Sequence, residues 1–263
     1  SVCLSTPIVS YILKVSSNVS FTVVASISGT FIPITNIKIA MATTCDKNAA
    51  IKVATKHFLN SAQISTPKFA VYREADRCAE LAAEIEKNFG LPVVIKASSQ
   101  GSSIGVSVVE KSAEIDEAIE NAFTLGDEIL VEEFIKGREL TVAVYGNEDD
   151  AEALPVIEIT TTTGRYDYKT KYTKGMSTHI VPAPLPDDLT AEVKRLAVEA
   201  FKICKCAGVA RVDMMLSEKN VPYVIEVNSV PGMTETSLVP DAARAAGLDF
   251  PDLCEKILAL SED

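Results

Sequence analysis

The spacing of hydrophobic residues changes near residue 46, and from there it alternates between two periods. Apolar residues that recur every three or four positions predict helices over 46–61, 74–89, 112–125, 190–206, 238–246 and 251–260. Short apolar runs bounded by glycine, proline or polar residues predict strands over 66–72, 93–96, 105–110, 128–132, 138–145, 208–216 and 221–228. This alternation predicts a mixed helix-and-sheet protein with a sizeable core.

Two segments lack this periodicity. Residues 1–45 contain no Asp or Glu and only two lysines, and their many Ser, Thr, Val and Ile residues predict β-prone or irregular backbone. We expect turns near Asn18, Gly29 and Pro33. Residues 159–184 are polar over a length that is typical of active-site loops, and they predict a mobile loop.

The last two predicted strands should form a β-hairpin, because the polar run 217–220 separates them. Glu226 and Asn228 are two residues apart, so both side chains leave the same side of the strand. Folding back about the turn brings Asp213 roughly opposite Glu226. Facing carboxylates repel each other unless a cation lies between them, and oxygen ligands suit Mg²⁺ or Mn²⁺ shared with substrate phosphates. The alternative is an edge hairpin with solvated acids, which the apolar surroundings disfavour.

A Ser- and Gly-rich loop over 97–106 lies between two predicted strands. Its backbone N–H groups and the hydroxyls of Ser102 and Ser103 can hold phosphate oxygens, and Lys96 at the end of the preceding strand can reach the same anion. The Gly-Lys-Ser/Thr ending of a P-loop is absent. An ordinary Ser/Gly hairpin loop is the alternative.

Three further segments carry weaker signals. The strand end at 130–135 can clamp an adenine edge, although acids at strand ends are usually just solvated. The loop 164–175 combines lysines with tyrosines, and Lys171 could neutralise phosphate; the alternative is a solvated basic loop. The turn 230–234 precedes a helix start and can present N–H groups to a carboxylate or an oxyanion, or it can be a plain capping turn.

Composition narrows the classes of partner and compartment. The chain has 36 acidic and 25 basic residues, and a formal net charge of −11 argues against nucleic acid or an anionic membrane as a partner. No run is apolar enough for a transmembrane helix. Six scattered cysteines without a secretory segment predict reduced thiols in the cytoplasm. A metal or redox role for Cys204-Lys-Cys206 is disfavoured, because no second Cys/His pair has zinc-like spacing.

Taken together, the motifs around Lys96, 101–105, 166–172, 211–213 and 226–234 resemble those of D-alanine–D-alanine ligases of the ATP-grasp superfamily. The resemblance runs from about residue 46 to the C-terminus. It implies an α+β ATP-grasp fold whose two α+β domains clamp ATP, with the usual N-terminal α/β domain missing or reduced. The implied domains are an atypical remnant at 1–45, a central domain at 46–131, and a C-terminal domain at 132–263 with the metal and substrate site.

The implied reaction is ATP-dependent ligation of two D-alanines through an acyl phosphate, in cytoplasmic synthesis of peptidoglycan precursors. The implied ATP-binding residues are Lys47, Lys96, Ser102, Ser103, Glu132, Glu133, Phe134, Ile135, Glu139 (for ribose) and Lys171. Asp213, Glu226 and Asn228 would carry two Mg²⁺ or Mn²⁺ ions. The implied catalytic residues are Arg211, Gly232, Tyr172, Ser102 and Lys171, and the implied second-alanine residues are Tyr172, Ser237 and Leu238.

The chain departs from the family pattern at its start, where the glutamate that serves the first D-alanine is not found. Two rival functions therefore stay open. One is an ATP-grasp ligase for another carboxylate and amine, which Tyr172 and Ser237 disfavour. The other is a catalytically inactive nucleotide-binding remnant. A homodimer is also left open.

Overall fold

The computed structural model describes residues 12–15, 21–27, 30–35, 49–100, 104–161, 177–234 and 237–260. The helices are α1 (Ala49–Ser61), α2 (Leu81–Phe89), α3 (Ile115–Phe123), α4 (Asp187–Ile203), α5 (Leu238–Ala245) and α6 (Phe250–Ala259). The strands are β1 (Ile12–Val15), β2 (Phe21–Ile27), β3 (Thr30–Thr35), β4 (Phe69–Arg73), β5 (Val93–Ala97), β6 (Val106–Val109), β7 (Glu128–Glu133), β8 (Gly137–Gly146), β9 (Glu152–Ala153), β10 (Ile157–Thr161), β11 (Ser177–Ile180), β12 (Gly208–Ser217) and β13 (Pro222–Asn228).

The first sheet of the described core is antiparallel, with the strand order β4-β7-β5-β6. Helices α2 and α3 cover one of its faces, where Ile85 and Ile119 pack against Val93, Ile95 and Val131. The opposite face carries Glu132 and Lys96, which are both buried. The first sheet is therefore apolar on the face that α2 and α3 cover and carries buried charged groups on the opposite face.

The second sheet has the strand order β11-β10-β8-β12-β13, and β9 pairs with β8. On one face Val142 and Val212 pack against α4, while on the other face Ala143 and Ile157 pack against α5. Helix α1 joins the two sheets, because its Leu59 belongs to the core of the second sheet whereas its neighbours on the same helix reach the first.

Three predicted elements need correction. The helix predicted over 74–89 is a short 3₁₀ turn followed by α2, because the Asp76 carboxylate accepts from the Arg73 N–H at 2.8 Å and competes with helical pairing. The helix predicted over 190–206 begins and ends three residues earlier; Asp187 and Asp188 favour its first turn, and a positive φ of 52° at Lys205 follows its end. Residues 159–161 and 177–179, predicted as mobile loop, are strand residues that pair with each other.

Near the N-terminus, β1, β2 and β3 form an antiparallel sheet of three strands. The β-prone prediction for this part is confirmed, but the turn expected at Pro33 is wrong, since Pro33 lies inside β3 opposite Val24. Asn18 and Gly29 lie outside the described residues. Within the described ranges, no helix has both the length and the apolar character that crossing a bilayer requires.

The start of α6 gives a direct test of a local contact. The Asp249 carboxylate accepts from the Asp252 N–H at 2.9 Å and so caps this helix. We expect Asp249→Ala to lower the free energy of unfolding by about 1 kcal/mol, whereas Asp249→Asn should lose only a small part of that. Thermal or urea unfolding of the two variants measures the difference; equal losses in both would contradict the cap.

Candidate active site

The predicted β-hairpin is confirmed, and its register sets the geometry of the site. Strands β12 and β13 are antiparallel, with Asp213 opposite Glu226 and Arg211 opposite Asn228. The turn between them closes through the Asn220 N–H, which donates to the Ser217 carbonyl at 2.9 Å. Two carboxylates and an amide therefore project from one face of the hairpin, as the sequence predicts.

Asp213 is the centre of a dense set of polar contacts. Arg211 donates to both of its oxygens, from Nε at 2.8 Å and from Nη2 at 2.7 Å. Thr141 on β8 donates to Asp213 Oδ1 at 2.6 Å, and Asn228 donates from Nδ2 to Asp213 Oδ2 at 2.9 Å and to Glu226 Oε1 at 3.3 Å. These bonds fix the carboxylates in place before any ligand is bound.

The pairing of β8 with β12 extends this face across the sheet. Thr141 lies directly opposite Asp213, and Glu139 lies two residues before it on β8. Residues that are directly opposite in antiparallel strands share a side, and so do residues two apart. Glu139, Thr141, Asp213 and Glu226 consequently lie on one face, which brings the predicted ribose residue to the predicted metal residues.

The donor set on this face suits a hard divalent cation. Asp213 and Glu226 supply carboxylate oxygens and Asn228 can supply an amide oxygen, and such ligands hold Mg²⁺ or Mn²⁺ when substrate phosphates complete the shell. Within the described ranges no group of three His, Cys, Asp or Glu side chains is placed to hold a metal by itself. Two carboxylates and one amide leave most positions around such an ion open, so these residues fit an ion that is shared with a phosphate.

A second charged cluster lies on the inner face of the first sheet. Glu132 on β7 is an ion-pair partner of both Lys96 on β5 and Lys56 on α1, with Lys56 Nζ at 2.5 Å from Glu132 Oε1. Burial acts to raise the pKa of Glu132, but the two ammonium groups outweigh it and hold that pKa well below its ordinary value. Burial lowers the pKa of Lys56 to about 8 although Glu132 acts in the opposite direction.

In this cluster, two predicted ATP-binding residues, Lys96 and Glu132, make a contact that the sequence did not predict. Sequence reasoning placed Lys96 toward the Ser/Gly loop and Glu132 toward adenine, and it did not foresee that they pair with each other. It also missed Lys56 altogether. The two lysines are 36 and 76 residues from Glu132 along the chain, so no local spacing could reveal the contact. Of the other residues predicted to hold adenine, Glu133 is exposed, Phe134 is half-buried and Ile135 is buried.

The Ser/Gly loop is tied to its surroundings just before residue 101. Ser99 Oγ donates to the Leu125 carbonyl at 2.7 Å, and the Gln100 amide donates to the same oxygen at 3.2 Å. Lys52 Nζ on α1 donates to the Gln100 carbonyl at 2.5 Å. Lys52, a second lysine that the sequence reasoning missed, thus lies at the entrance to the loop. Ser102, Ser103 and Lys47 lie outside the described residues.

The turn before α5 is built from short polar contacts. Ser237 Oγ accepts from the Thr234 N–H at 3.0 Å, and a Cβ at Gly232 would lie 2.9 Å from that same oxygen. Leu238 is the first residue of α5, and its side chain is buried in the core. His179 Nδ1 on β11 lies 2.8 Å from Asp241 Oδ2 and holds α5 over the sheet. Lys171 and Tyr172 lie outside the described residues.

The Cys204 and Cys206 thiols have the environment of structural cysteines, as the sequence analysis favours. Both are free and buried beside the end of α4. Burial raises the pKa of both, that of Cys206 to about 12. Thiols that stay protonated at neutral pH are poor metal ligands and poor nucleophiles.

Comparison with known proteins gives one family. The family model described as D-ala D-ala ligase C-terminus matches residues 58–259. The chain is 49% identical over 213 residues to a D-alanine–D-alanine ligase from Moorella thermoacetica, covering 80% of this chain and 69% of that protein. It is 45% identical over 214 residues to the one from Pelotomaculum thermopropionicum, covering 80% and 67%.

The chain belongs to the D-alanine–D-alanine ligase family. Members of this family are ATP-dependent, ADP-forming ligases of peptidoglycan precursor synthesis with the ATP-grasp fold, and the predicted α+β ATP-grasp architecture is confirmed.

Solved structures agree with this family assignment. VanG D-Ala:D-Ser ligase from Enterococcus faecalis superposes with a TM-score of 0.72 at 32% identity, covering 82% of this chain and 62% of that one. The D-alanine–D-alanine ligase from Bacillus anthracis gives a TM-score of 0.68 at 32% identity, with 81% and 67% covered. A complex of the Bacillus anthracis enzyme with ATP gives 0.67. The chain thus spans about two thirds of these ligases' length.

Proposed function

We propose that this chain binds ATP between its two sheets and joins two D-alanines, with ATP, D-alanine and divalent cations as its small-molecule partners. One observation carries the proposal: the strand register puts Glu139, Thr141, Asp213 and Glu226 on one face of the second sheet. The similarity to the D-alanine–D-alanine ligases of Moorella thermoacetica and Pelotomaculum thermopropionicum supports D-alanine as both substrates. The setting is the cytoplasm, where ATP is available, and a homodimer stays a prediction.

We infer the following roles around ATP. The segment from Glu132 to Ile135 borders adenine, and Glu139 accepts from ribose hydroxyls. Asp213, Glu226 and Asn228 would hold two Mg²⁺ or Mn²⁺ ions, whose charge would offset that of the ATP phosphates during transfer. Lys96, Ser102, Ser103 and Lys171 contact phosphate, and Lys52 joins them because it reaches Gln100 at the entrance to the loop; Lys47 stays a prediction.

The chemistry has two steps. The carboxylate of one D-alanine attacks the γ-phosphorus of ATP, forming an acyl phosphate and ADP. The amine of the second D-alanine then attacks the acyl carbon, and inorganic phosphate leaves. We infer that Arg211 and the Gly232 N–H stabilise the tetrahedral oxyanion, while Ser237 and the Leu238 N–H hold the second carboxylate. Because Asp213 fixes the Arg211 guanidinium at two points, that charge is oriented before the substrates arrive.

We also propose domain limits from the two sheets. Strand β7 of the first sheet ends at Glu133, and β8 of the second begins at Gly137. The passage between the domains would then lie at 134–136, a few residues after the predicted limit at 131/132. The adenine segment would form this passage, which places the base where the two domains meet.

A single assay tests the function. Phosphate release from ATP and Mg²⁺ is measured with and without D-alanine, and the same sample is analysed for D-alanyl-D-alanine. Phosphate and dipeptide that rise together support the ligase. ATP binding without dipeptide would favour the nucleotide-binding remnant, and phosphate that rises only with another carboxylate and amine would favour the other ligase.

The nature of the second substrate has its own test. Tyr172 is the predicted specificity residue, with Ser102 as its hydrogen-bonding partner, and it points to an amine nucleophile. We expect Tyr172→Phe to shift selectivity toward D-lactate, measured as the ratio of depsipeptide to dipeptide when both acceptors compete. Tyr145→Phe is a matched control, since the Tyr145 hydroxyl bonds to Glu152 on the short strand β9, outside the predicted substrate residues. An unchanged product ratio in Tyr172→Phe would remove this role.

A further inference from the structure

Lys56 has no part in the roles above, yet it is among the most deeply buried side chains of the described core, with 1% of its surface exposed. Its ammonium group pairs with Glu132 on the first sheet. It also donates to Thr66 Oγ1 at 2.8 Å. The ammonium group of Lys56 in α1 therefore contacts strand β7, which we call the adenine strand, and Thr66 in the segment that follows α1.

Thr66 carries the contact onward to the second sheet. Its hydroxyl donates to the Val224 carbonyl on β13 at 2.8 Å, and the Val224 N–H donates to the Ser65 carbonyl at 2.8 Å. Val224 lies two residues before Glu226, whose charge also acts on Lys56. A continuous polar path thus runs from Lys96 through Glu132, Lys56 and Thr66 to the hairpin of β12 and β13. We call this the metal hairpin, because it carries the proposed metal residues.

Stability alone does not account for Lys56. Lys96 and Glu132 would already form a balanced pair, and Lys56 adds a second ammonium group to the same buried carboxylate. Burying an extra charge costs free energy, and well-packed apolar residues often replace buried ions without loss. A methionine would fill this volume without the charge. A role in aligning the first and second sheets would explain why a charged residue occupies this buried position.

We propose that Lys56 is a positioning residue which, through Thr66, fixes the adenine strand β7 relative to the metal hairpin, so that nucleotide and divalent cation bind cooperatively. The inference rests on the proposed function, because it needs ATP and metal to occupy these two places. The coupling works in both directions: a cation at Glu226 favours the nucleotide, and the nucleotide favours the cation to the same extent.

Equilibrium binding of ADP, with and without Mg²⁺, tests the coupling without turnover. The ratio of the two ADP dissociation constants measures it. We expect Thr66→Val, which keeps the shape but cannot donate to Val224, to reduce this ratio about fivefold or more while the Mg²⁺-free constant changes by less than about twofold. Lys56→Met should reduce the ratio as well. Thr66→Ser keeps the hydroxyl, so its ratio should match the wild-type value.

Controls separate the coupling from general damage. Thr124→Val removes a hydroxyl that donates to Asn121 at the end of α3, away from the path, and should leave the ratio unchanged. A purely structural role would lower the melting temperature of Thr66→Val and keep the ratio; that result overturns the inference, even if Lys56→Met fails to fold. A wild-type chain that binds no ADP would instead refute the proposed function, and the inference with it.

Discussion

Glu226→Gln should abolish ligation and leave the fold intact. Glu226 stands opposite Asp213 on the hairpin, and glutamine keeps its shape while it removes one of the two carboxylates that would face a cation. Replacing even the partners of metal ligands typically costs 10–100-fold, so we expect loss of a ligand charge to cost more than about 100-fold in turnover. Phosphate release that depends on D-alanine, measured at saturating Mg²⁺, gives the number.

The same hairpin provides the control for this variant. Glu218 lies in its turn, is exposed, and pairs with Lys136 Nζ at 2.8 Å. Glu218→Gln makes the same chemical change outside the site, so its turnover should match the wild type. Both variants should unfold at nearly the wild-type temperature, since the amide that replaces the Glu226 carboxylate retains an oxygen for Asn228. Full activity in Glu226→Gln would refute the metal assignment.

Gly137→Ala should have the largest effect on stability. A Cβ at this position would lie 1.9 Å from the Leu216 carbonyl oxygen and 2.7 Å from its carbon, both backbone atoms of the neighbouring strand β12. Backbone cannot rotate away as a side chain can, so β8 and β12 would have to separate at this end. We expect a loss of roughly 3 kcal/mol or more, equivalent to a fall of roughly 6–12 °C in melting temperature.

Gly90 provides the contrast, because a side chain there would meet open space and only the backbone angle would oppose it. Gly90 follows α2 with φ +71°, and a Cβ there would meet nothing within 4 Å. Gly90→Ala should therefore cost only backbone strain, about 1–3 kcal/mol, because a φ of 71° with a ψ of −169° is a conformation that is nearly restricted to glycine. Calorimetric unfolding of both variants gives the comparison. A smaller loss in Gly137→Ala than in Gly90→Ala would contradict the close strand contact.

The hairpin could be predicted from sequence because two apolar runs and the polar turn between them are local features. Its exact register could not, because a shift between Asp213 and Met214 is what brings Asp213 opposite Glu226. Several other elements could be predicted from local periodicity in the same way, among them α3, β5, β7 and β8. The family motifs added expected roles, but those roles came from resemblance and not from pattern.

Contacts between distant segments could not be predicted in this way. Thr141 binds Asp213 only because β8 lies beside β12, and a threonine between two apolar residues does not reveal which distant group it will bind. In the sequence, Lys56 is one of several polar residues in a predicted helix, and only the folded structure shows that Glu132 is its partner. Strands β10 and β11 were missed because short strands near a sheet edge have too few residues to show an alternation.

The pairing of β10 with β11 has a consequence for how this family can diversify. Thr161, the last residue of β10, lies directly opposite Ser177, the first residue of β11. The segment 162–176, which contains the predicted Lys171 and Tyr172, is thus inserted between two ends that the sheet already holds together. Doubling the length of such an insertion costs only about 0.6 kcal/mol in closure entropy. Under the proposed role of Tyr172, acceptor choice can evolve by exchange of this segment while Glu139, Asp213 and Glu226 keep their places in the sheet.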